Sequence, residues 1–291
     1  MRKHFILGII MTLFCCVSAS AQIFYRITGN GLNSPSYILG THHLAPLSVL
    51  DNMDVQSALD ACSAVVGEIE FEDELAMAAK MQRYMMAPPD STLSKMLGAD
   101  KMDEYSRKFA KIVNVPGFEL KNFDMMRPMV ASTILALFMV QELMPGFDPK
   151  QQLDSYFMKR GKQEGKKIIP LETVEQQAEI LYQATPVGIQ LTSLCEMLDN
   201  PQQVRDNTDK LNKAYLRHDL DAMYRLSKES DGSNVFFDAL LFRRNDVWMQ
   251  KLPSIIQDNP AFIVVGALHL AGEKGIVSQL RNLGYTVTPI D

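Results

Sequence analysis

Two segments near opposite ends of the chain share one pattern: an apolar run, a glycine, two further residues and a histidine. The first is Tyr37–His43 and the second is Phe262–His269. Histidine is scarce in this sequence, with five residues in total. Each segment predicts a buried strand that ends at an imidazole. Because functional groups of α/β sheets gather where strands end, the two histidines predict one shared site.

The glycine of each pattern, Gly40 or Gly266, has a physical use. It allows the backbone to turn tightly at the strand end or to approach a ligand closely. His42 precedes His43 directly, so in a continuing strand the two imidazoles point to opposite faces. We therefore expect one of the two to face the site.

Imidazoles and carboxylates that converge from separate strands are typical of metal sites. His43 and His269 supply two imidazoles, and the strand-like segment Ala64–Phe71 adds Glu68, with Glu70 on the same face. Three ligands with an open position suit a catalytic ion. The alternative is structural: two hydrogen-bonded histidines and a solvated strand edge. The residues alone leave both interpretations open.

Other candidates for chemistry lie in the second half of the chain. Glu172 follows the strand-like run Ile168–Leu171, where it either faces the site or begins a helix. Arg244 lies in a helical region and is a candidate for stabilising developing negative charge, or else part of a solvated helix face. The sequence contains no serine nucleophile elbow, phosphate-binding glycine loop or zincin helix motif.

The elements that must position these residues can be predicted from periodicity. We expect an opening hairpin, with strands at Ile23–Ile27 and Ser36–Gly40, and then a helix at Pro46–Cys62. From 74 to 160 the sequence is helical and rich in methionine. The last residues read as strand, helix, strand, which predicts a parallel pair joined by a right-handed crossover.

The first 21 residues have the pattern of a secretory signal peptide. Arg2 and Lys3 precede an apolar run, and Ala19–Ala21 resembles a cleavage site, so we expect cleavage before Gln22. The apolar run is short for a membrane span, and no second one follows. Cys15 raises a lipoprotein alternative, but Phe14 before it is not the small residue that lipid attachment favours. The sequence therefore predicts export to the periplasm or the cell exterior without a lipid anchor.

Composition excludes some functions for the mature chain. The full sequence carries a net charge of −5, about −7 without Arg2 and Lys3, and an acidic exported protein has no electrostatic reason to bind nucleic acid. Two cysteines remain after cleavage, Cys62 and Cys195, which either form one disulfide or stay as free thiols. Stability must therefore come from an apolar core.

The chain resembles the TraB/GumN family, which includes the Tiki proteases. The resemblance rests on Leu39–His43, on Val66–Glu70, and on the closing stretch Val265–Glu273 followed by Leu280–Val287. Two middle blocks are also similar, Leu171–Gln177 and Arg244–Asn245. Together these segments span nearly the whole mature chain.

The resemblance implies an α/β fold with a split mixed β-sheet core and large helical insertions, similar to Tiki and erythromycin-esterase proteins. We expect one domain over residues 22–291 with a helical insertion at about 74–160. It also implies a metal-dependent protease that uses manganese or cobalt rather than zinc. The implied metal ligands are His43, Glu68 and His269, with Arg244 as a further catalytic group. Residues that either support or replace these ligands are His42, Glu70 and Glu172.

The sequence thus predicts an exported metal-dependent hydrolase that acts on a peptide or protein substrate. Glu68 would complete the metal shell or act as general base to a bound water. The competing hypothesis is a non-catalytic binder that holds a peptide or small ligand in an apolar groove. The methionine-rich runs Met77–Met86 and Met125–Met144 support that alternative.

Overall fold

The structure is a computed structural model, and it describes residues 22–70, 73–141, 143–144, 146–148, 151–230 and 237–290. The predicted signal peptide, residues 1–21, lies outside these ranges. Within them, no helix combines the length and the apolar character that a membrane crossing needs.

A mixed six-stranded sheet runs through the part of the chain that the structure describes, in the order β4-β3-β5-β2-β1-β6. Four neighbouring strands, β4, β3, β5 and β2, are parallel, whereas β1 is antiparallel to both β2 and β6. The strands are β1 (Phe24–Gly29), β2 (Ser36–Thr41), β3 (Ala64–Gly67), β4 (Lys167–Pro170), β5 (Ala261–Gly266) and β6 (Tyr285–Pro289). The α/β class with a mixed sheet is confirmed.

Helices cover the sheet and fill the long intervals between strands. Between β3 and β4 lie α2 to α6, so the predicted helical stretch does connect these two strands. The helices are α1 (Val55–Asp60), α2 (Glu74–Met85), α3 (Leu93–Leu97), α4 (Ala99–Val113), α5 (Pro128–Gln141), α6 (Leu153–Gln163), α7 (Val174–Gln183), α8 (Val187–Asp199), α9 (Pro201–Leu216), α10 (Leu220–Ser230), α11 (Arg243–Trp248), α12 (Leu252–Asp258) and α13 (Ile276–Asn282).

The central strand β5 explains why the second histidine segment is so apolar. Residues 261–265 are all buried, since β5 pairs on both sides and helices cover both faces of the parallel sheet. The predicted opening hairpin is confirmed as β1 and β2, paired antiparallel with Phe24 opposite Leu39.

Three predicted elements differ from the structure. The closing strands β5 and β6 point the same way but are not neighbours, because β2 and β1 of the opening hairpin lie between them. The helix expected at Pro46–Cys62 is a 3-10 turn, Leu47–Leu50, followed by α1, because residues 51–54, three of which are polar, form a turn between them. The strand expected at Ala64–Phe71 ends at Gly67, so Glu68 and Glu70 do not share a strand face.

Two apolar clusters stabilise the fold. One surrounds the sheet and includes Cys62, and the other joins the helices between β3 and β4 to α7 and α8 and has Cys195 at its border. Both cysteines are free thiols. Of the two possibilities for the cysteines, the structure therefore shows free thiols rather than a disulfide.

Gly40 has a structural role because the backbone of the second histidine segment crosses directly over it. A Cβ atom at Gly40 would lie 2.8 Å from the Cα atom of Ala267, which is backbone and cannot rotate away. We expect Gly40→Ala to lower the free energy of unfolding by roughly 1–3 kcal/mol, the usual cost of overpacking. Urea denaturation measures this change.

Gly188 in α8 is the matched control, since a Cβ there meets nothing within 4 Å. Gly188→Ala should be neutral or should stabilise the chain by up to about 1 kcal/mol, as alanine favours helix over glycine. Equal stability of the two variants would contradict the close approach at Gly40.

Candidate functional site

The candidate site lies where the four parallel strands end. Thr41 ends β2 and Gly266 ends β5, and these two residues are paired in the sheet, so the segments that carry His43 and His269 leave adjacent strands. Glu68 follows β3, and Glu172 follows β4. The carboxyl edge of a parallel sheet is where α/β proteins place their ligand sites.

Arg244 of α11 reaches into this edge and joins the residues that follow three different strands. Its Nη2 donates to Glu68 Oε2 at 2.5 Å and to Glu172 Oε1 at 2.6 Å, while Nε donates to Glu172 Oε2 at 3.2 Å. Its Nη1 donates to the Leu240 carbonyl and to His269 Nε2, both at 3.0 Å. A guanidinium has five N–H groups, and all five are used here. Arg244 therefore positions its neighbours and has no N–H left for an oxyanion.

Both carboxylates of this ion cluster have further partners. Glu68 Oε1 accepts the backbone N–H of Gly266 at 2.8 Å, and Glu68 Oε2 accepts Gln177 Nε2 at 3.1 Å. Glu172 accepts the indole N–H of Trp248 at 3.2 Å. The two buried charges of Glu68 and Glu172 are thus hydrogen-bonded as well as paired.

His269 is buried and its ring orientation is fixed. Asn245 Nδ2 donates to two carbonyls, those of His269 and Lys274, which assigns Asn245 Oδ1 as the acceptor for His269 Nδ1 at 2.6 Å. Nδ1 therefore carries the proton and Nε2 accepts from Arg244. The Trp248 ring packs against the imidazole with centroids 4.4 Å apart.

Burial and charge pairing set the protonation states of this ion cluster. Burial lowers the pKa of His269 to about 3, so the imidazole is neutral. Burial alone would raise the pKa of Glu68, but the attraction of Arg244, together with His43 and the hydrogen bond from the Gly266 N–H, lowers that pKa to about 2. Burial opposes the charge of Arg244, whereas Glu68 and Glu172 raise the pKa of its guanidinium overall. The cluster of Glu68, Glu172, Arg244 and neutral His269 therefore carries one net negative charge.

His43 has a different environment from His269. Its side chain is 64% exposed, and its Nδ1 lies 2.9 Å from Asp154 Oδ2. Asp154, at the start of α6, is itself held by Thr41, whose hydroxyl donates to Oδ1 at 2.5 Å. The carboxylate only accepts, so Nδ1 of His43 carries a proton and Nε2 faces away from this bond.

The attraction of Asp154 raises the pKa of His43, and Glu68 contributes in the same direction. Water at the exposed imidazole screens this attraction, since the side chain is largely accessible. The shift nevertheless favours the protonated ring near neutral pH. His43 is thus an oriented, accessible imidazole whose proton affinity is increased by an adjacent carboxylate.

His42 and Glu70, two further candidates from the sequence, lie apart from this ion cluster. His42 Nδ1 accepts the backbone N–H of Leu44 at 3.2 Å, and its ring packs on Tyr215 with centroids 5.2 Å apart. Burial lowers the pKa of His42 to about 4. Glu70 is half exposed, with its nearest cation, Lys162, at 3.9 Å. The structure gives neither residue a contact with Glu68 or His269.

The three predicted metal ligands do not surround one point in this arrangement. Among the described residues, no three His, Cys, Asp or Glu side chains lie close enough together to hold an ion. Arg244 donates to His269 Nε2, the nitrogen that a cation would use, and to Glu68 Oε2, one of the two carboxylate oxygens. A metal would have to displace the guanidinium, so the residues as arranged do not fit a bound ion.

Sequence patterns did not identify Asp154, Asn245 or Trp248 as parts of the site. Asp154 could have been noticed, because it is an acid at a buried position of α6 between Leu153 and Phe157. Trp248 is the single tryptophan of the chain. Neither observation indicates which residue Asp154 or Trp248 contacts, because these contacts join residues that are distant in sequence.

Two histidines with lowered pKa values, the buried His269 and the partly buried His42, predict that mild acid destabilises the chain. The unfolded chain takes up protons at His42 and His269 below pH 6.5, but the folded chain resists this until about pH 4 and about pH 3 respectively. The unfolded state binds more protons in this window, so stability falls as the pH falls from 6.5 to 5, by roughly 1 kcal/mol per pH unit for each histidine.

Urea denaturation at pH 6.5 and pH 5.0 measures this effect. In His269→Gln, one of the two contributions is lost and the pH dependence should fall by about half, whatever the absolute stability of the variant. A slope equal to that of the wild type would show that His269 is not a buried neutral group.

The chain was compared with known proteins, solved structures and protein families. Searches of curated proteins and of solved structures find no match. A model of the TraB/PrgY/gumN family matches residues 23–289, a range that contains the ion cluster around Arg244 and the His43–Asp154 pair. This match covers nearly the entire chain, which therefore belongs to the TraB/PrgY/gumN family.

Proposed function

We propose that the chain is a hydrolase that cleaves peptide bonds at the carboxyl edge of the parallel strands, with His43 as the general base. The observation that carries the proposal is the difference between the two motif histidines. His269 is buried, and both of its nitrogens are used within the protein. His43 is exposed and oriented by Asp154 through Nδ1, so Nε2 is the nitrogen available for proton transfer.

In the proposed reaction, Nε2 of His43 accepts a proton from the water that attacks the scissile carbonyl, and it returns this proton to the leaving amine as the C–N bond breaks. Asp154 stabilises the imidazolium that forms, and Thr41 keeps the carboxylate in place. An oriented base of this kind contributes about 10²–10⁴ in rate. Glu68 remains ionised and keeps acceptor capacity on Oε1, which has one N–H partner among the described residues. That oxygen is suited to orient the attacking water or the leaving amine.

The signal-peptide pattern of residues 1–21 adds export from the cytoplasm to the proposal, and the family resemblance adds a divalent ion, manganese or cobalt rather than zinc. Arg244 is hydrogen-bonded to two of the predicted ligands, Glu68 and His269, so the reaction described above is written without a step that needs the ion. The non-catalytic binder is the alternative outcome. It would show peptide binding without turnover at any pH and with any ion.

Substitution of His43 tests the base directly. We expect His43→Asn to lower kcat/KM for a peptide substrate by about 10²–10⁴-fold while the fold is retained, because the imidazole is exposed. His218→Asn is the matched control: His218 lies between α9 and α10 with a left-handed backbone that asparagine also adopts. Peptide cleavage measured by mass spectrometry provides the rates, and equal activity of the two variants would contradict the role of His43.

The pH dependence of kcat/KM tests the Asp154 contact. Asp154 raises the pKa of His43, so the base form accumulates only as the pH rises above neutral, and wild-type activity should rise in that range. Asp154→Asn removes the attraction and should move the rise to lower pH, while it also lowers the plateau. Activity that falls as the pH rises through the same range would instead assign His43 as a general acid.

Removal of divalent ions by a chelator tests whether the proposed activity requires a metal. Because Arg244 holds Glu68 and His269, we expect dialysis against a chelator to leave the His43-dependent activity unchanged. Elemental analysis before and after dialysis verifies that metal has been removed. If chelation abolishes activity and manganese or cobalt restores it, the guanidinium must move aside for the ion, and the mechanism through His43 alone is wrong.

A further inference from the structure

A cavity on the other side of Arg244 has no part in the chemistry above. It lies between α7 and the stretch that runs from a π-helical turn, Asp238–Phe242, into α11, and its volume is about 280 Å³. Glu172 and Arg244 form its floor. The same two side chains contact each other and, through Arg244, Glu68 and His269. The cavity therefore borders the ion cluster directly, through Glu172 and Arg244.

The buried part of this cavity has an apolar wall and a polar floor without unused groups. Ile180, Ala184, Ala239 and Val247 line the wall, and the exposed residues Gln176, Glu179 and Arg243 lie at the rim. In the floor, all N–H groups of Arg244 are donated, and each carboxylate oxygen of Glu172 accepts two hydrogen bonds. A polar group that entered would lose its hydrogen bonds to water without gaining a buried partner, which costs free energy. An apolar group has no such hydrogen bonds to lose.

Size limits the occupant further. Sites for whole small ligands and cofactors usually enclose about 300–1,000 Å³, and a cavity of about 150 Å³ already holds a benzene ring. A volume of about 280 Å³ is thus suited to one large side chain. We propose that this cavity binds an uncharged apolar side chain of the peptide substrate, such as leucine, methionine or phenylalanine. The inference rests on the proposed peptide hydrolysis and adds its side-chain preference.

Trp248 provides a binding signal that does not require turnover. It is the only tryptophan of the chain, it is fully buried, and its indole N–H donates to Glu172 in the cavity floor. We therefore suggest fluorescence titration with blocked pentapeptides, Ac-Gly-Gly-Xaa-Gly-Gly-NH₂, that differ only at Xaa. Leucine, methionine and phenylalanine peptides should change the emission saturably, with dissociation constants at least about tenfold lower than aspartate or lysine peptides.

Val247→Asp places a charge in the cavity wall and should weaken binding of the leucine peptide by at least about tenfold. Val115→Asp is the matched control, since Val115 and Val247 are 42% and 48% exposed and only Val247 lines the cavity. If Val247→Asp does not fold by circular dichroism, Ala184→Phe, which narrows the cavity at an exposed position, should have the same effect.

Cleavage of the same peptides separates the two proposals. Turnover without preference at Xaa, or binding of charged peptides as tight as that of apolar ones, would overturn the cavity assignment and leave the hydrolase in place. Selective binding of apolar peptides that depends on Val247, with no turnover, would support the cavity and overturn the hydrolase.

Discussion

The carboxyl edge of the sheet depends on the placement of one buried cation, Arg244. A buried charge is costly unless it is paired and hydrogen-bonded, and here Glu68 and Glu172 supply the pairing while His269 and the Leu240 carbonyl complete the hydrogen bonds. The three side-chain partners, Glu68, Glu172 and His269, follow β3, β4 and β5. The position of α11 is consequently tied to the ends of three strands, and loss of any one partner would leave the others incompletely satisfied.

The same constraint explains why two identical sequence patterns give different chemistry. Both motif histidines follow a strand and a glycine, but His269 lies beside Arg244 and becomes a fixed, neutral part of the ion cluster. His43 follows the neighbouring strand, lies outside the cluster and meets Asp154 instead. The imidazole nearest the buried charges is therefore the less available one, and the accessible imidazole has its own carboxylate.

Much of the sheet could be predicted from sequence because its signals are local. Buried parallel strands are short, continuous apolar runs, as in β5, and the opening hairpin has turn residues between two such runs. The order of the strands and the partners of Arg244 are not local. Nothing in the closing strand–helix–strand pattern shows that the hairpin lies between β5 and β6. The sequence around Asp154 likewise does not indicate that this residue contacts His43. The contact depends on how α6 packs over the sheet.

For the proposed hydrolase, the charge of the site restricts the substrates that it can bind. Glu68 and Glu172 outnumber Arg244, neutral His269 adds no positive charge, and the proton on His43 is balanced by Asp154. A phosphate or carboxylate brought to this edge would meet net negative charge and no free guanidinium N–H. A neutral amide has no such repulsion, and an apolar side chain beside it fits the adjoining cavity. Electrostatics and cavity shape therefore both favour an uncharged peptide segment over an anionic ester.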